Sequence, residues 1–168
     1  MKRHICAIIK FGGAALAVET IAQNRKAYYD YHIVETIEAG IALTGSEIKS
    51  LRQGKVNLRD AYAKPSDGEL WLVGAHIARY DAASYQNHEP HRDRKLLLHR
   101  EEIAELSSKA RIKGFSIVPL RLYLKRGRAK LELGLGRGKK VYDKRQAIAQ
   151  RQAEREIEGT IKSERAKH

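Results

Sequence analysis

Thiol chemistry is almost absent from this chain of 168 residues, whose one cysteine is Cys6. A single cysteine excludes an internal disulfide framework and any zinc site built on several thiolates, and it suits a reducing cytoplasm. Also missing is an apolar run long enough to cross a bilayer. The nearest candidate follows Met1-Lys2-Arg3-His4, ends on Ala15-Leu16-Ala17 and is divided by Lys10. It imitates a signal peptide but is too short to span a membrane. Residues 1–20 are therefore read as an atypical extension outside the fold, with the working protein starting near Val18. No internal repeat and no βαβ rhythm is present. Gly134, Gly136 and Gly138 imitate a phosphate loop only loosely, because a dinucleotide fingerprint opens a helix after a first strand and these glycines close a last one. They read as a flexible hinge. No serine occupies a nucleophile elbow, and no carboxylate or thiolate cluster accompanies His88, His91 and His99 at ligand spacing. No catalytic residue, metal or cofactor is expected.

What the chain has in excess is positive charge. Its net charge is +13 and its pI about 9.9. Of that excess, +2 falls in residues 1–23, +6 in 24–136 and +5 in 137–168. A basic body with a basic tail fits a nucleic acid better than a membrane surface, which one basic helix would serve. Basic and aromatic residues interleave at Arg25, Lys26, Tyr28, Tyr29 and Tyr31, and again at Arg121, Tyr123, Lys125, Arg126, Arg128 and Lys130. A barrel can present such groups as a phosphate track with stacking platforms. The alternative is that the tyrosines rim the core while the lysines solubilise. The three histidines, lying in a basic loop, read as RNA contacts or surface groups.

Patterning sets the fold. Tyr28 to Leu43 reads as extended, with Ile33, Ile37 and Ile41 recurring. Thr44 with Glu47 makes a capping box for a short helix that carries Ile48 and Leu51 on one face and stops at Gly54. Val56 to Ala63 is extended, Lys64-Pro65-Ser66-Asp67-Gly68 is turn chemistry, and Leu70 to Ile77 is a strand. A long polar connection from Arg79 to Arg94, with Tyr80 and Tyr85, precedes a helix from Glu101 to about Lys113, with Ile103 and Leu106 inward and Gly114 as its stop. Leu120, Leu122 and Leu124 alternate with polar residues, and Leu131, Leu133 and Leu135 repeat the pattern after a Lys125-Arg126-Gly127-Arg128 turn. The expected fold is mostly β: a small antiparallel barrel over residues 21–136 with short flanking helices and a basic tail over 137–168. In that tail Ala149, Ala153, Ile157 and Ile161 form a stripe too thin to hold a helix on a core, so it is expected to be disordered when free and helical when bound.

Five segments in linked order resemble the SmpB family of SsrA-binding proteins, which partner transfer-messenger RNA in bacteria. They are Asn24-Arg25-Lys26-Ala27, Glu38-Ala39-Gly40-Ile41, the run from Glu47-Ile48-Lys49 to Gly54-Lys55, the run from Asn87-His88-Glu89-Pro90 to Leu96-Leu97-Leu98, and Gly138-Lys139-Lys140-Val141-Tyr142-Asp143-Lys144-Arg145. The likeness runs from about Ile21 to the C-terminus. It implies an oligonucleotide-binding-type barrel that holds the tRNA-like domain of transfer-messenger RNA. It also implies entry into stalled 70S ribosomes, with the tail in the empty mRNA channel near the decoding centre. By resemblance, RNA contacts fall on Asn24, Glu38, Leu97 and Lys130, with Arg25, Lys26 and Lys95 beside them. Decoding-centre and tail functions fall on Gly138, Lys139, Lys140, Tyr142, Asp143, Lys144 and Arg145. The chain departs from the family's usual pattern at its apolar start, at Tyr28 and Tyr29 where a basic residue and His are usual, and at Tyr142 where many relatives have His. Glu38 is an odd RNA contact, since a carboxylate repels phosphate; it makes sense if it accepts from a base edge or orients a neighbouring cation.

No membrane and no small-molecule substrate is implied. The rival readings are a general single-strand-binding or ribosomal barrel protein and a metal-dependent nuclease using the histidine loop.

Overall fold

The computed structural model describes residues 18–81 and 87–139. Readings that fall on the N-terminal extension, on Tyr85 and on the tail from Lys140 onward lie outside the described residues.

The elements, in order, are β1 (Val18–Gln23), α1 (Arg25–Asp30), β2 (Tyr31–Ile41), α2 (Gly45–Arg52), β3 (Val56–Asn57), β4 (Tyr62–Ser66), β5 (Glu69–Val73), β6 (His76–Ile77), β7 (Arg94–Leu97), α3 (Arg100–Ala110), β8 (Phe115–Lys125) and β9 (Arg128–Gly138). Each strand pairing is antiparallel, and the order β8-β4-β5-β7-β2-β9 returns to β8 through the β8–β9 pairing. The sheet is thus a closed six-strand barrel, a form that leaves no open edge around the ring. Strand β1 lies along β8 beyond the point where β4 leaves it, and β3 with β6 forms a small separate ladder.

Alternation builds the wall. Leu131, Leu133 and Leu135 of β9, Leu122 of β8, Leu70 and Leu72 of β5, and Leu96 of β7 point inward and are buried, and α2 and α3 add Leu51 and Leu106. Burying one such side chain contributes about 1.5–3 kcal/mol. Two hairpins close on paired left-handed residues, Asp67 (φ 52°) with Gly68 (φ 75°) and Arg126 (φ 51°) with Gly127 (φ 73°). Two positive φ values match the twist of the flanking strands, as a two-residue hairpin requires.

The elements differ from the sequence reading in identifiable places. Strand β1 begins at Val18, so the fold starts before residue 21, and β9 runs to Gly138 rather than stopping at residue 136. Tyr28 belongs to α1, not to an extended run, because Asn24 caps that turn by accepting from the Ala27 N–H at 3.1 Å. The turn expected over Lys64–Gly68 contracts to Asp67-Gly68, since Lys64, Pro65 and Ser66 pair with Trp71, Leu70 and Glu69. The expected Leu70–Ile77 strand breaks at Gly74. The expected Val56–Ala63 strand breaks at a turn closed by the Ala61 N–H on the Leu58 carbonyl.

Gly134 and Gly136 are not a hinge. Both are buried in β9 and hydrogen-bonded in register with β2 and β8. A Cβ on Gly136 would meet the Tyr31 Cβ at 2.8 Å, whereas one on Gly134 would meet the tip of Leu120 at 2.9 Å. This gap in the wall is where Ala27 of α1 packs with Val118, Leu120, Tyr31 and Ile33. Gly136→Ala is expected to destabilise by about 1–3 kcal/mol. Gly134→Ala should cost less, because a Leu tip rotates and a Tyr Cβ does not. Urea denaturation of both variants checks the order; equal costs would sink the explanation.

Candidate nucleic-acid interface

Cross-strand register assembles a polar cluster on the barrel's outer face. Glu38 of β2 lies opposite Glu132 of β9, and Lys130 lies opposite Tyr123 of β8. The Tyr123 hydroxyl donates to Glu38 Oε2 at 2.5 Å, Lys125 Nζ reaches the same oxygen at 2.9 Å, and Lys130 Nζ reaches Oε1 at 3.3 Å. Next to them Arg121 Nε donates to Glu132 at 2.9 Å while its guanidinium stands 5.0 Å from the Tyr123 ring centroid.

Partial burial pushes the Glu38 carboxyl up, but the hydrogen bonds from Tyr123, Lys125 and Lys130 outweigh it and hold the group at about 2. Burial, and then the bond to Glu38, raise the Tyr123 hydroxyl, so it remains a proton donor. Glu38 is therefore a charged hub at neutral pH. It fixes one hydroxyl and two ammonium groups within a small area, and the two lysines exceed its charge by one.

Leu97 stands beside this hub and is 53% exposed. Gly40 separates Leu97 from Lys130 in the register, and a Cβ there would meet the Leu97 Cβ at 3.1 Å. Two strand spacings put Leu97 and Lys130 about 10 Å apart at the backbone. Lys95, two residues back on the same face, is paired with Glu69.

The Asn24–Lys26 segment begins where β1 ends, with Gln23 in register with Arg121. Asn24 is not a surface group: it is 3% exposed, and its Nδ2 donates to the Leu58 carbonyl at 2.8 Å while its Oδ1 caps α1. With both ends of its amide occupied inside the protein, it holds α1 in place and leaves presentation to its neighbours. Arg25 and Lys26 are exposed, and Lys26 pairs with Asp60 at 2.7 Å. Lys26 and Arg59 border two depressions around α1, and Arg25 borders one of them.

At the other end of the set, the Gly138 N–H donates to the Gly114 carbonyl at 3.2 Å and the Lys139 N–H to the Asp30 carbonyl at 2.9 Å. Lys139 Nζ adds a bond to the Tyr28 carbonyl at 3.1 Å. Both residues thus belong to the body of the fold. Lys140, Tyr142, Asp143, Lys144 and Arg145 lie outside the described residues.

The histidine loop is mixed: His88 and Arg94 are buried, whereas His91 and His99 are the exposed groups the sequence reading expects. His88 is 7% exposed, with Nδ1 3.0 Å from Ser46 Oγ and Nε2 3.0 Å from the Ile77 carbonyl. It is therefore neither an RNA contact nor a surface group. His91 lies against His76 with centroids 4.8 Å apart, and the His99 N–H opens α3 by donating to Glu102. Among the described residues no three or more His, Cys, Asp or Glu side chains are grouped to hold a metal. Two arginines of the loop turn inward. Glu47 Oε1 accepts from Arg94 Nε at 2.8 Å and from Arg92 Nε at 2.9 Å, and its Oε2 accepts from Arg92 at 2.6 Å and the Thr44 N–H at 2.7 Å. Arg94, with no exposed surface, also donates to the carbonyls of Ala75, Pro90 and Arg92. Glu47 thus serves as both a helix cap and the counterion of two arginines.

The sequence model of the family described as SmpB protein matches residues 21–163. An SsrA-binding protein from Carboxydothermus hydrogenoformans is 57% identical over 143 residues, covering 85% of this chain and 96% of that protein. One from Chloroflexus aggregans is 58% identical over 146 residues, covering 86% and 92%. Among solved structures, a chain from work on tmRNA-SmpB and the bacterial ribosome is 52% identical, with a TM-score of 0.62 over 71% of this chain and 85% of that one. The chain thus matches SsrA-binding proteins over nearly their whole length and shares its fold with that solved chain, and it belongs to the SmpB family of SsrA-binding proteins.

Proposed function

We propose that this protein is a non-catalytic cytoplasmic RNA-binding adaptor that holds the tRNA-like domain of transfer-messenger RNA and brings it to stalled ribosomes for trans-translation. The observation that carries the reading is the cluster of Lys125 and Lys130 around Glu38, with Leu97 exposed beside it. A folded RNA is recognised through its backbone and its unstacked loop bases, which calls for fixed cations next to an apolar prop. Glu38 acts as the organiser of those cations rather than as a phosphate contact. Arg25, Lys26 and Lys95 border the same surface, and Asn24 acts through α1. Residues 139–168 are assigned the ribosomal part: Lys139, Lys140, Lys144 and Arg145 for phosphates and Tyr142 as a stacking platform near the decoding centre.

The test is affinity for a tRNA-like RNA against a random single strand at matched salt. Lys130→Ala should weaken binding and flatten the dependence of log affinity on log salt by about one unit, as expected for one neutralised phosphate. Tyr123→Phe, which keeps the ring and removes the bond to Glu38, should weaken binding less and leave the slope unchanged. Equal affinity of the native protein for the two RNAs would refute tRNA-like recognition.

A further inference from the structure

The chain's one tryptophan, Trp71, lies on the barrel exterior and has no part in the mechanism above. Register sets Lys64 of β4 beside Trp71 of β5, and Trp71 beside Lys95 of β7. Directly opposed side chains stand about 4.5–5.5 Å apart at Cβ, so the three form one continuous Lys-Trp-Lys stripe across three strands. Inward-facing Ala63, Leu70, Leu72 and Leu96 alternate with them, which confirms the outward face. The stripe also adjoins the cluster already described, because Leu97 follows Lys95 by two residues and lies in register with Gly40, which itself pairs with Lys130.

Three features distinguish this row from a tryptophan that merely covers lysine stems. Trp71 is half-buried, so its ring is held while part of it stays open. The ring–cation contacts among the described residues are Lys49 over Tyr80 and Arg121 over Tyr123, so neither flanking lysine covers the indole. Among the described residues the indole N–H has no acceptor and no buried side-chain nitrogen or oxygen lacks a partner, so that N–H lies at the surface of the described fold. An aromatic face, a donor at the surface and a lysine on either side, with Lys95 exchanging its Glu69 partner for phosphate, match the chemistry of a nucleotide: a base to stack on and phosphates before and after it.

We propose that Trp71 is a stacking platform for an unpaired RNA base, with Lys64 and Lys95 receiving the flanking phosphates. The RNA-binding surface then extends from Lys130 and Leu97 across β7 to β5 and β4. This rests on the reading of the barrel as an RNA-binding body, and it adds a contact region to that body.

Tryptophan emission, excited at the red edge where tyrosine does not absorb, reports on Trp71 alone. Titrating the full-length protein with a transcript of the tRNA-like domain should quench and shift the emission. Trp71→Phe, which keeps a π face, should bind that transcript within about threefold of the native protein, while Trp71→Leu, which keeps apolar packing only, should bind about five- to a hundredfold more weakly. Thermal melts of both variants, read by circular dichroism, establish that each is folded. If Trp71→Leu binds like the native protein while Lys130→Ala binds weakly, the stacking site is refuted and the barrel reading stands. If neither substitution weakens binding, both fall. An emission change that follows protein concentration without RNA would mark the stripe as a self-association surface and overturn the proposal.

Discussion

Glu47→Ala is expected to cost about 3–5 kcal/mol of folding stability, the usual consequence of removing one partner from a buried ion pair. The reason is what remains. Arg94 has no exposed surface, and without Glu47 its guanidinium would be a buried cation held only by carbonyls. Glu47→Gln should recover part of the loss, since an amide oxygen can still accept from the Thr44 N–H. Replacing both residues with apolar ones of similar size should cost less than Glu47→Ala alone, because no charge is then stranded. Acid behaviour follows with a definite sign. Burial pushes the Glu47 carboxyl up, but the bonds from Arg92, Thr44 and Arg94 prevail and hold it below its ordinary value. Its contribution is thus fully present above the unfolded-chain value of about 4.3 and fades as pH falls through the lower folded one. The stability gap between the native protein and Glu47→Gln should narrow on acidification below about pH 4. Urea unfolding across that range measures it, and a cost under about 1 kcal/mol for Glu47→Ala at neutral pH would show that the clamp is not needed.

Truncation after Lys139 should separate two functions. Binding to the tRNA-like domain at physiological salt is expected within about threefold of the full chain, a difference of well under 1 kcal/mol. Tagging of incomplete proteins on stalled ribosomes is expected to be lost altogether. The cut belongs after Lys139 because β9 pairs through Gly138 and the Lys139 N–H still bonds to Asp30. Ending the chain at Gly136 would remove the partners of Tyr31, His32 and Phe115, and should destabilise the barrel as well. Gel-shift affinity and a reconstituted tagging assay read the two halves independently. If the chain ending at Lys139 no longer binds the tRNA-like domain, the division between barrel and tail is wrong.

The barrel was legible where local pattern and burial coincide. Leu120 to Leu135 alternate strictly around a turn whose Arg126-Gly127 pair names its own geometry, and Thr44 with Glu47 marked α2. Helix α1 was not legible, because a six-residue helix carrying two tyrosines reads locally as strand, and its cap depends on Asn24 also finding Leu58. The motif from Asn87 to Arg94 looked like a basic RNA loop because its counterion, Glu47, lies 47 positions before Arg94. The Glu38 hub was half visible. The alternation put Arg121, Tyr123 and Lys125 on one face, but bringing Glu38 to Tyr123 spans 85 positions and depends on a register that local sequence does not encode. Gly134 and Gly136 were misread for the same reason, since a hinge glycine and a close-packed one look alike until the opposite strand is placed.

The fastening of Lys139 to α1 gives the molecule a mechanical property. Two bonds from this one residue end on the backbone of the helix that Asn24 caps, so the point where the remaining 29 residues take off shares a frame with the RNA-facing surface. Loosening the Lys139 fastening would therefore free that take-off point from α1 while leaving the strand pairings of β9 intact.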